Sequence, residues 1–109
     1  MAYDTELEAR IDLISLAWPG LAKKAMFGGK GYLLLGNMAF GIWKDHLVVR
    51  CGPDRYPACL AQPHVAEFAV TGKPMAGWVL VAPEGFADEP TLATWLETGR
   101  DFAVTLPAK

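Results

Sequence analysis

The chain has 109 residues, of which 52% are hydrophobic, and this is enough for one domain with its own core. A net charge of −2 and a pI near 5.6 argue against a dedicated nucleic-acid binder, whose surface is usually strongly basic. The N-terminus does not resemble a secretory signal peptide, and no uncharged run is long enough to span a membrane. We therefore expect a cytoplasmic protein with a single domain, residues 1–109.

The chain is richer in apolar residues than an average domain. Counted with the 11 glycines and without the 3 tyrosines, apolar residues make up about 60% of the chain, against roughly 45–50% in soluble domains generally. Because so short a chain has a limited interior, we expect part of this apolar surface to meet a protein partner or a second copy of the chain.

The first predicted element is a helix from about Asp4 to Trp18. Thr5 and Glu8 have the spacing of a capping box at its start, and Glu6 and Arg10 have the spacing of a favourable ion pair. One face of this helix is apolar and repeats with the helical period, through Leu7, Ile11, Ile14 and Trp18. We expect this face to pack on the rest of the domain.

A meander of antiparallel strands follows, because short alternating apolar runs are separated by two-residue breaks. We place its four strands near residues 23–27, 31–36, 38–43 and 46–51. The alternation predicts that Met38, Phe40 and Ile42 lie on the face that the helices cover. Trp43 would then lie on the outer face of the sheet, together with Ala39 from the same strand.

The second half of the chain alternates short elements with turns. The sequence predicts a short helix within Arg55–Gln62, a strand at Ala66–Val70, a turn at Thr71–Pro74 and a strand at Trp78–Val81. A last helix begins after the N-cap residue Asp88 and carries an apolar stripe. The predicted fold class is therefore a two-layer α+β domain, in which N- and C-terminal helices flank an antiparallel sheet of five or six strands.

Five short motifs occur along the chain in a fixed order. They are Met26-Phe27-Gly28-Gly29, Gly36-Asn37-Met38-Ala39-Phe40, Leu47-Val48-Val49-Arg50, Gly72-Lys73-Pro74-Met75-x-x-Trp78-Val79 and Leu106-Pro107-x-Lys109. In this order they resemble the N-terminal domain of the TfoX/Sxy competence regulators, from about Lys23 to the end of the chain. The resemblance implies a bacterial protein with a small antiparallel sheet packed by helices, and it carries over no catalytic residue. The full-length regulators also have a C-terminal helical domain, which this sequence does not contain, so direct DNA binding is not expected.

A glycine-rich bend is the first candidate binding site. It consists of Phe27, Gly28, Gly29 and Lys30. The bend lacks the spacing, the hydroxyl residue and the following helix of a phosphate-binding P-loop, so its simplest interpretation is a connection between two strands. The functional alternative is an anion nest assisted by Lys30. Together with Arg50 and Lys73, it could form a cationic pocket for a small anionic ligand.

No metal site, cofactor or catalytic group is predicted. His46, Cys51, Cys59 and His64 lack the paired spacing of structural zinc sites. The two cysteines are expected to be buried thiols in a reducing compartment. The serine at position 15 lies inside the first predicted helix and not at a nucleophile elbow. Enzymatic activity is therefore not expected.

The outer face of the predicted sheet is the second candidate binding site. Trp43, Val48 and Arg50 would lie there together, and an aromatic ring, an aliphatic side chain and an arginine are typical of an interface centre. The alternative is that a further helix covers this face as well. The fourth family-like motif supplies three further candidate binding residues, which are Lys73, Met75 and Trp78.

Three functional hypotheses follow. The favoured one is a non-enzymatic regulatory domain that presents a sheet face or edge to a protein partner, which includes a homodimer. The second is a small anionic ligand-binding domain, or an enzyme, that uses the cationic pocket. The third is an accessory nucleic-acid contact through residues 21–60, which carry six basic and two acidic residues between acidic flanking segments.

Overall fold

A computed structural model of the chain describes residues 3–15, 17–26, 28–69 and 72–109. Three residues that the sequence analysis had assigned to a bend, a strand and a turn lie outside this description: Phe27, Val70 and Thr71. No described helix is both long enough and apolar enough to cross a lipid bilayer.

The described elements confirm the predicted α+β class. The helices are α1 (Thr5–Ser15), α2 (Tyr56–Leu60) and α3 (Glu89–Ala103), with a short 3₁₀ helix at Pro83–Phe86. The strands are β1 (Leu21–Met26), β2 (Gly29–Leu34), β3 (Asn37–Trp43), β4 (His46–Arg50), β5 (Val65–Glu67) and β6 (Trp78–Val81). The three α-helices and six strands were predicted from the sequence, with ends that differ by a few residues, and the 3₁₀ helix was not predicted.

The strands form one antiparallel sheet in the order β1-β2-β3-β4-β6-β5. The first four strands are successive hairpins, as the alternation predicted. Between β2 and β3 the chain turns at Leu35 and Gly36, whose φ angles are 51° and 87°; a type I′ turn requires positive values at both positions. The turn therefore lies one residue before the predicted break, and Asn37 already belongs to β3.

A β-bulge in β3 changes the faces on which its first residues lie. Tyr32 pairs with Phe40, but the next residue, Leu33, pairs with Met38, so the register skips Ala39. Because side chains alternate along a strand, the extra residue turns Met38 to the face opposite Phe40. The predicted faces of Met38 and Ala39 are therefore wrong: Met38 packs on the outer face, and Ala39 packs in the core beside Phe40.

The helices cover one face of the sheet and build the main core there. α1 contributes Leu7 and Ile11, and α3 contributes Trp95 and Leu96. These side chains pack on a layer of fully buried strand residues, which are Phe40, Ile42, Leu47, Val49, Val79 and Val81. Trp18, predicted on the apolar face of the first helix, lies three residues beyond the end of α1 but still packs against this core.

Two local predictions for α1 are wrong. The cap is Asp4, whose carboxylate accepts a hydrogen bond from the backbone N–H of Glu6 at 2.9 Å and from the next N–H at 3.2 Å. Asp and Thr both cap helices well, so the side chain one residue earlier takes the place of Thr5. Arg10 pairs with Glu89 of α3 at 2.7 Å, because packing of α1 beside α3 brings a distant carboxylate within reach.

The face of the sheet opposite the helices carries a second apolar cluster, and we call it the outer face. Its members come from strands and from the β5–β6 connection (residues 68–77), and none of the described members comes from a helix. Its buried centre is Met38, Val48 and Phe68, and its partly buried margin is Met26, Trp43, Met75, Trp78 and Leu80. Much of the apolar excess is therefore buried within the chain, on two sides of one sheet.

Candidate functional site

The outer face brings together several of the predicted binding residues. Four of them lie on it or at its margin: Trp43, Arg50, Met75 and Trp78. Arg50 joins this face because it pairs directly with Trp78 across β4 and β6. Lys73 is exposed in the same β5–β6 connection as Met75. The prediction that Trp43, Val48 and Arg50 share one face agrees with this placement.

Lys30 lies on the opposite face of the sheet. It pairs with Ile42, which in turn pairs with Leu47 of the main core. Its ammonium group is 5.7 Å from the ring centre of Tyr3. Arg50 follows Leu47 by three positions on β4, and an odd offset reverses the face. The single cationic pocket that combined Lys30 with Arg50 is therefore not formed.

The two glycines of the predicted bend both have structural roles. Gly28 lies in the β1–β2 turn with a φ of 77°, a conformation that favours glycine. Gly29 begins β2, and a Cβ built on it would lie only 3.0 Å from the carbonyl carbon of Ile42, so the two strands approach closely there. These positions agree with the simpler interpretation of a connection between strands.

Cationic side chains surround the outer face. Lys24 pairs with Gly31, and the row continues through Gly41 and Val48 to Leu80. Directly opposed residues have side chains on the same face of a sheet. Lys24 therefore projects on the outer face, on the same face as Met26, whose side chain covers the buried Gly31.

Two further cations contact the tryptophans of this face. The Lys44 ammonium is 4.7 Å from the ring centre of Trp43, and the guanidinium carbon of Arg50 is 5.0 Å from that of Trp78. Asp45 is the neighbouring acid, and its carboxylate pairs with the His46 ring at 2.7 Å. With Lys24 and the exposed Lys73, the margin is thus cationic.

The helical side of the domain is acidic. Its carboxylates lie on α1 and α3 and at their N-caps: Asp4, Glu6, Glu8, Asp12, Asp88, Glu89, Glu97 and Asp101. The cations of these two helices are Arg10 and Arg100. The small net charge of −2 therefore hides a separation of charge between the two sides of the sheet.

A polar network attaches α1 to β1 and β2. Lys23 pairs with Glu8 at 2.8 Å and with Asp12 at 2.9 Å. The Tyr32 hydroxyl donates to Asp12 at 2.8 Å, and the Tyr3 hydroxyl donates to Glu8 at 3.2 Å. Burial, and then the hydrogen bond to Asp12, raises the pKa of Tyr32 well above its ordinary value. Sequence spacing gave no signal for this network, because its members lie on separate elements.

The two cysteines are buried thiols. The Cys51 Sγ donates to the carbonyl oxygen of Gly77 at 3.4 Å, and both cysteines belong to the main core. Burial, and then the neighbouring Cys59, raises the pKa of Cys51 to about 12, which makes it a poor nucleophile at neutral pH. Across the described ranges, no cluster of three or more His, Cys, Asp or Glu residues could hold a metal ion.

Comparison with known proteins gives a family match. The family model of the TfoX N-terminal domain matches residues 13–103. This span contains all six strands of the sheet together with α2 and α3. It includes the first four motifs found in the sequence, and the fifth, Leu106-Pro107-x-Lys109, lies beyond it. No curated protein and no solved structure is significantly similar to the chain. The match covers most of the 109 residues, and the chain therefore belongs to the TfoX N-terminal domain family.

Proposed function

We propose that this domain is a non-enzymatic regulatory module that binds an acidic protein partner through the outer face of its sheet. The observation that carries the proposal is the composition of that face, on which partly exposed methionine and tryptophan side chains are surrounded by cations. Methionine, tryptophan and arginine are enriched in protein interfaces relative to the rest of a protein surface.

The methionines suit a surface that adapts to its partner. Met26, Met38 and Met75 all lie on the outer face, out of 4 methionines in the chain. Their unbranched thioether side chains can repack against an irregular partner at little cost. The domain measures 31 × 30 × 27 Å, so one face offers about the 800 Å² per partner of a standard protein interface.

The charges of the outer face favour a different protein over a second copy of the chain. A symmetric dimer would place this face against itself, and Lys24, Lys44, Arg50 and Lys73 would meet the same four cations. Like charges brought together across an interface are unfavourable. A partner with Asp or Glu side chains around an apolar anchor would instead match both the charge and the apolar centre.

Single-stranded nucleic acid is the less favoured occupant of this face. An open sheet with aromatic rings and cations is also typical of RNA-binding domains. However, Trp78 already stacks on Phe68, with ring centres 6.1 Å apart. The guanidinium of Arg50 also lies over the Trp78 ring. Trp43 likewise contacts His46 and a lysine. A base could stack on either tryptophan only by displacing these neighbours.

Site-specific photo-crosslinking in cells tests the proposal. A photoreactive residue at Ala22 or Lys73 samples the outer face, and one at Glu97 on the exposed side of α3 is the matched control. We expect capture of a common protein from the first two positions and not from Glu97. Equal capture from all three positions would contradict the proposal, and a crosslink between copies of the chain would indicate a homodimer instead.

The proposal also predicts that binding of the purified partner depends on the cationic margin. The triple variant Lys24→Glu/Lys44→Glu/Lys73→Glu changes exposed residues only, and we expect it to weaken binding at least about tenfold, which corresponds to roughly 1.4 kcal/mol. Arg55→Glu, at an exposed cation next to α2, should leave the affinity unchanged. A triple variant that binds as tightly as the wild type would refute the role of the margin.

A further inference from the structure

Arg50 lies between two aromatic rings at the end of β4. Its guanidinium carbon is 5.0 Å from the ring centre of Trp78 and 5.3 Å from that of Phe102 on α3. The side chain is half-buried, and burial lowers the pKa of its guanidinium. The rings hold the group in one place on the rim of the sheet.

This guanidinium has no counter-charge in the described part of the chain. Its recorded contacts are the two rings, and neither an ion pair nor a hydrogen bond joins it to a described carboxylate, carbonyl or hydroxyl group. Arginine carries five N–H donors in a planar fork. A partly desolvated cation with open donors is the arrangement that an incoming anion can complete.

A small cleft lies directly beside Arg50. Its volume is about 100 Å³, and it is lined by Arg50, Gly52, Pro53, Ala76, Gly77, Trp78 and Phe102. The carbonyl oxygen of Gly77 accepts hydrogen bonds from the backbone N–H groups of Cys51 at 2.8 Å and Gly52 at 3.0 Å. These bonds fix the two loop segments that form the cleft to the end of β4.

The cleft depends on glycine at two positions. A Cβ added to Gly52 would lie 2.7 Å from Cε1 of Phe102, so only glycine lets this ring come close enough to lie over Arg50. A Cβ added to Gly77 would lie 3.2 Å from the backbone carbonyl carbon of Gly52. Both residues also have positive φ angles, 86° and 90°, which favour glycine.

A neighbouring cleft provides an internal comparison. It has a volume of about 200 Å³ and shares Gly52, Pro53 and Phe102 with the first. Its arginine is Arg55, and its lining also includes the carboxylates of Asp54 and Asp101. An anion is therefore repelled from this cleft, whereas the lining of the Arg50 cleft contains no carboxylate.

We infer that the Arg50 cleft binds one oxyanion group of a small molecule, a carboxylate or a phosphate group, through the guanidinium fork of Arg50. A volume of about 100 Å³ is several times the roughly 10–15 Å³ that a cavity needs to hold one water molecule, so there is room for one such group. Because the rings already restrict the arginine side chain, little rotamer entropy is lost on binding. The inference concerns a small ligand and goes beyond the protein-binding function proposed above.

Anion titrations followed by NMR test the inference. ¹⁵N-labelled protein is titrated with sodium phosphate and, separately, with sodium acetate at pH 7 and constant ionic strength. We expect saturable shifts of the Arg50 Nε–H and Trp78 indole N–H resonances, with a dissociation constant near or below about 1 mM for the preferred anion. The Arg55 Nε–H resonance should show no saturable shift. The two salts distinguish a phosphate site from a carboxylate site.

Replacing Arg50 with lysine tests whether the anion is bound by the planar guanidinium group or by positive charge alone. Arg50→Lys keeps the charge but removes the bidentate geometry, and we expect the affinity to fall at least about tenfold. Arg55→Lys is the matched control and should bind as the wild type does. Unchanged affinity in a folded Arg50→Lys variant overturns the inference. If that variant does not fold, the titration of the wild-type protein decides. Resonance shifts that rise linearly with anion concentration at both Arg50 and Arg55, without saturating, would also overturn the inference.

Protein binding at the outer face and anion binding at the Arg50 cleft can fail separately. The triple variant Lys24→Glu/Lys44→Glu/Lys73→Glu leaves the cleft residues unchanged, so it should retain saturable anion binding even where it loses the protein partner. Loss of the partner by this variant, with anion binding retained, therefore separates the protein-binding proposal from the anion-binding one.

Discussion

At the scale of single residues, glycine can be required because φ is positive or because no space is left for a Cβ atom. Both reasons apply to Gly52. Its φ is 86°, and a Cβ there would lie 2.7 Å from Cε1 of Phe102. Gly28 has a similar φ of 77°, but a Cβ there would meet nothing within 4 Å. We expect Gly28→Ala to lower the free energy of unfolding by about 1 kcal/mol, from backbone strain alone. Gly52→Ala should cost at least about 1 kcal/mol more, from overpacking against the ring. Equal losses in urea denaturation would contradict the Phe102 contact.

Tyr32 gives a prediction for alkaline pH. Its hydroxyl donates to Asp12 at 2.8 Å, and burial raises its pKa above the ordinary value of 10.0. The folded state therefore keeps a proton that the unfolded chain releases, so the contribution is complete below pH 10 and declines as the pH rises further. We expect Tyr32→Phe to cost about 1 kcal/mol at pH 7 and to lose less stability than the wild type above pH 10. Parallel curves of unfolding free energy against pH would rule this out.

At the scale of elements, the contact between α3 and β3 depends on Gly99. A Cβ at this position would lie 2.9 Å from the carbonyl carbon of Ala39, so the helix could accept one only by moving away from the sheet. At an exposed helix site, Gly→Ala gains about 1 kcal/mol. For Gly99→Ala we expect the opposite sign, a loss of unfolding free energy in urea denaturation. Thr94→Ala, on the exposed side of α3, is the matched control and should gain a few tenths of a kcal/mol. A stabilised Gly99→Ala protein would show that α3 is not held so closely.

The elements themselves were predictable from the sequence, but their faces were only partly so. Asp88 is an N-cap in the structure, accepting from the backbone N–H of Thr91 at 3.2 Å, because its local sequence is enough to start a helix. The alternation of Met38 and Phe40 looks regular in the sequence, and nothing local marks Ala39 as an extra residue. Only the pairing of β3 with β2 shows the bulge, so the face of Met38 depends on a partner strand that local patterning does not include.

At the scale of the whole molecule, chain order is a poor guide to where charge lies. Lys23 belongs to the basic middle segment of the sequence, but it is bonded to Glu8 on the acidic helical side. Lys73 comes from the acidic C-terminal segment, yet it is exposed in the connection that contributes Phe68 and Met75 to the outer face. The candidate site could be predicted only in part for the same reason. Arg50 and Trp78 are neighbours because β4 pairs with β6, a pairing that is not sequential.

Because the margin of the outer face is cationic, we expect the wild-type protein to associate with a variant in which that margin is made anionic. Wild-type protein has a cationic margin around the apolar outer face, and Lys24→Glu/Lys44→Glu/Lys73→Glu gives the same face an anionic margin. If either protein paired with a second copy of itself through this face, like charges would face each other. We therefore expect each protein alone to be monomeric in sedimentation equilibrium. An equal mixture should form a heterodimer, because opposite margins then surround two apolar centres.

Salt and a control variant identify the source of this association. Association between exposed charges weakens as salt shortens the screening length from about 10 Å at 0.1 M to 3 Å at 1 M, so the mixed complex should dissociate at high salt. Arg55→Glu, which reverses a charge outside the margin, should not associate with the wild type. If the wild type dimerises alone as strongly as the mixture does, cation repulsion does not govern the outer face, and a homodimer replaces the acidic partner as its occupant.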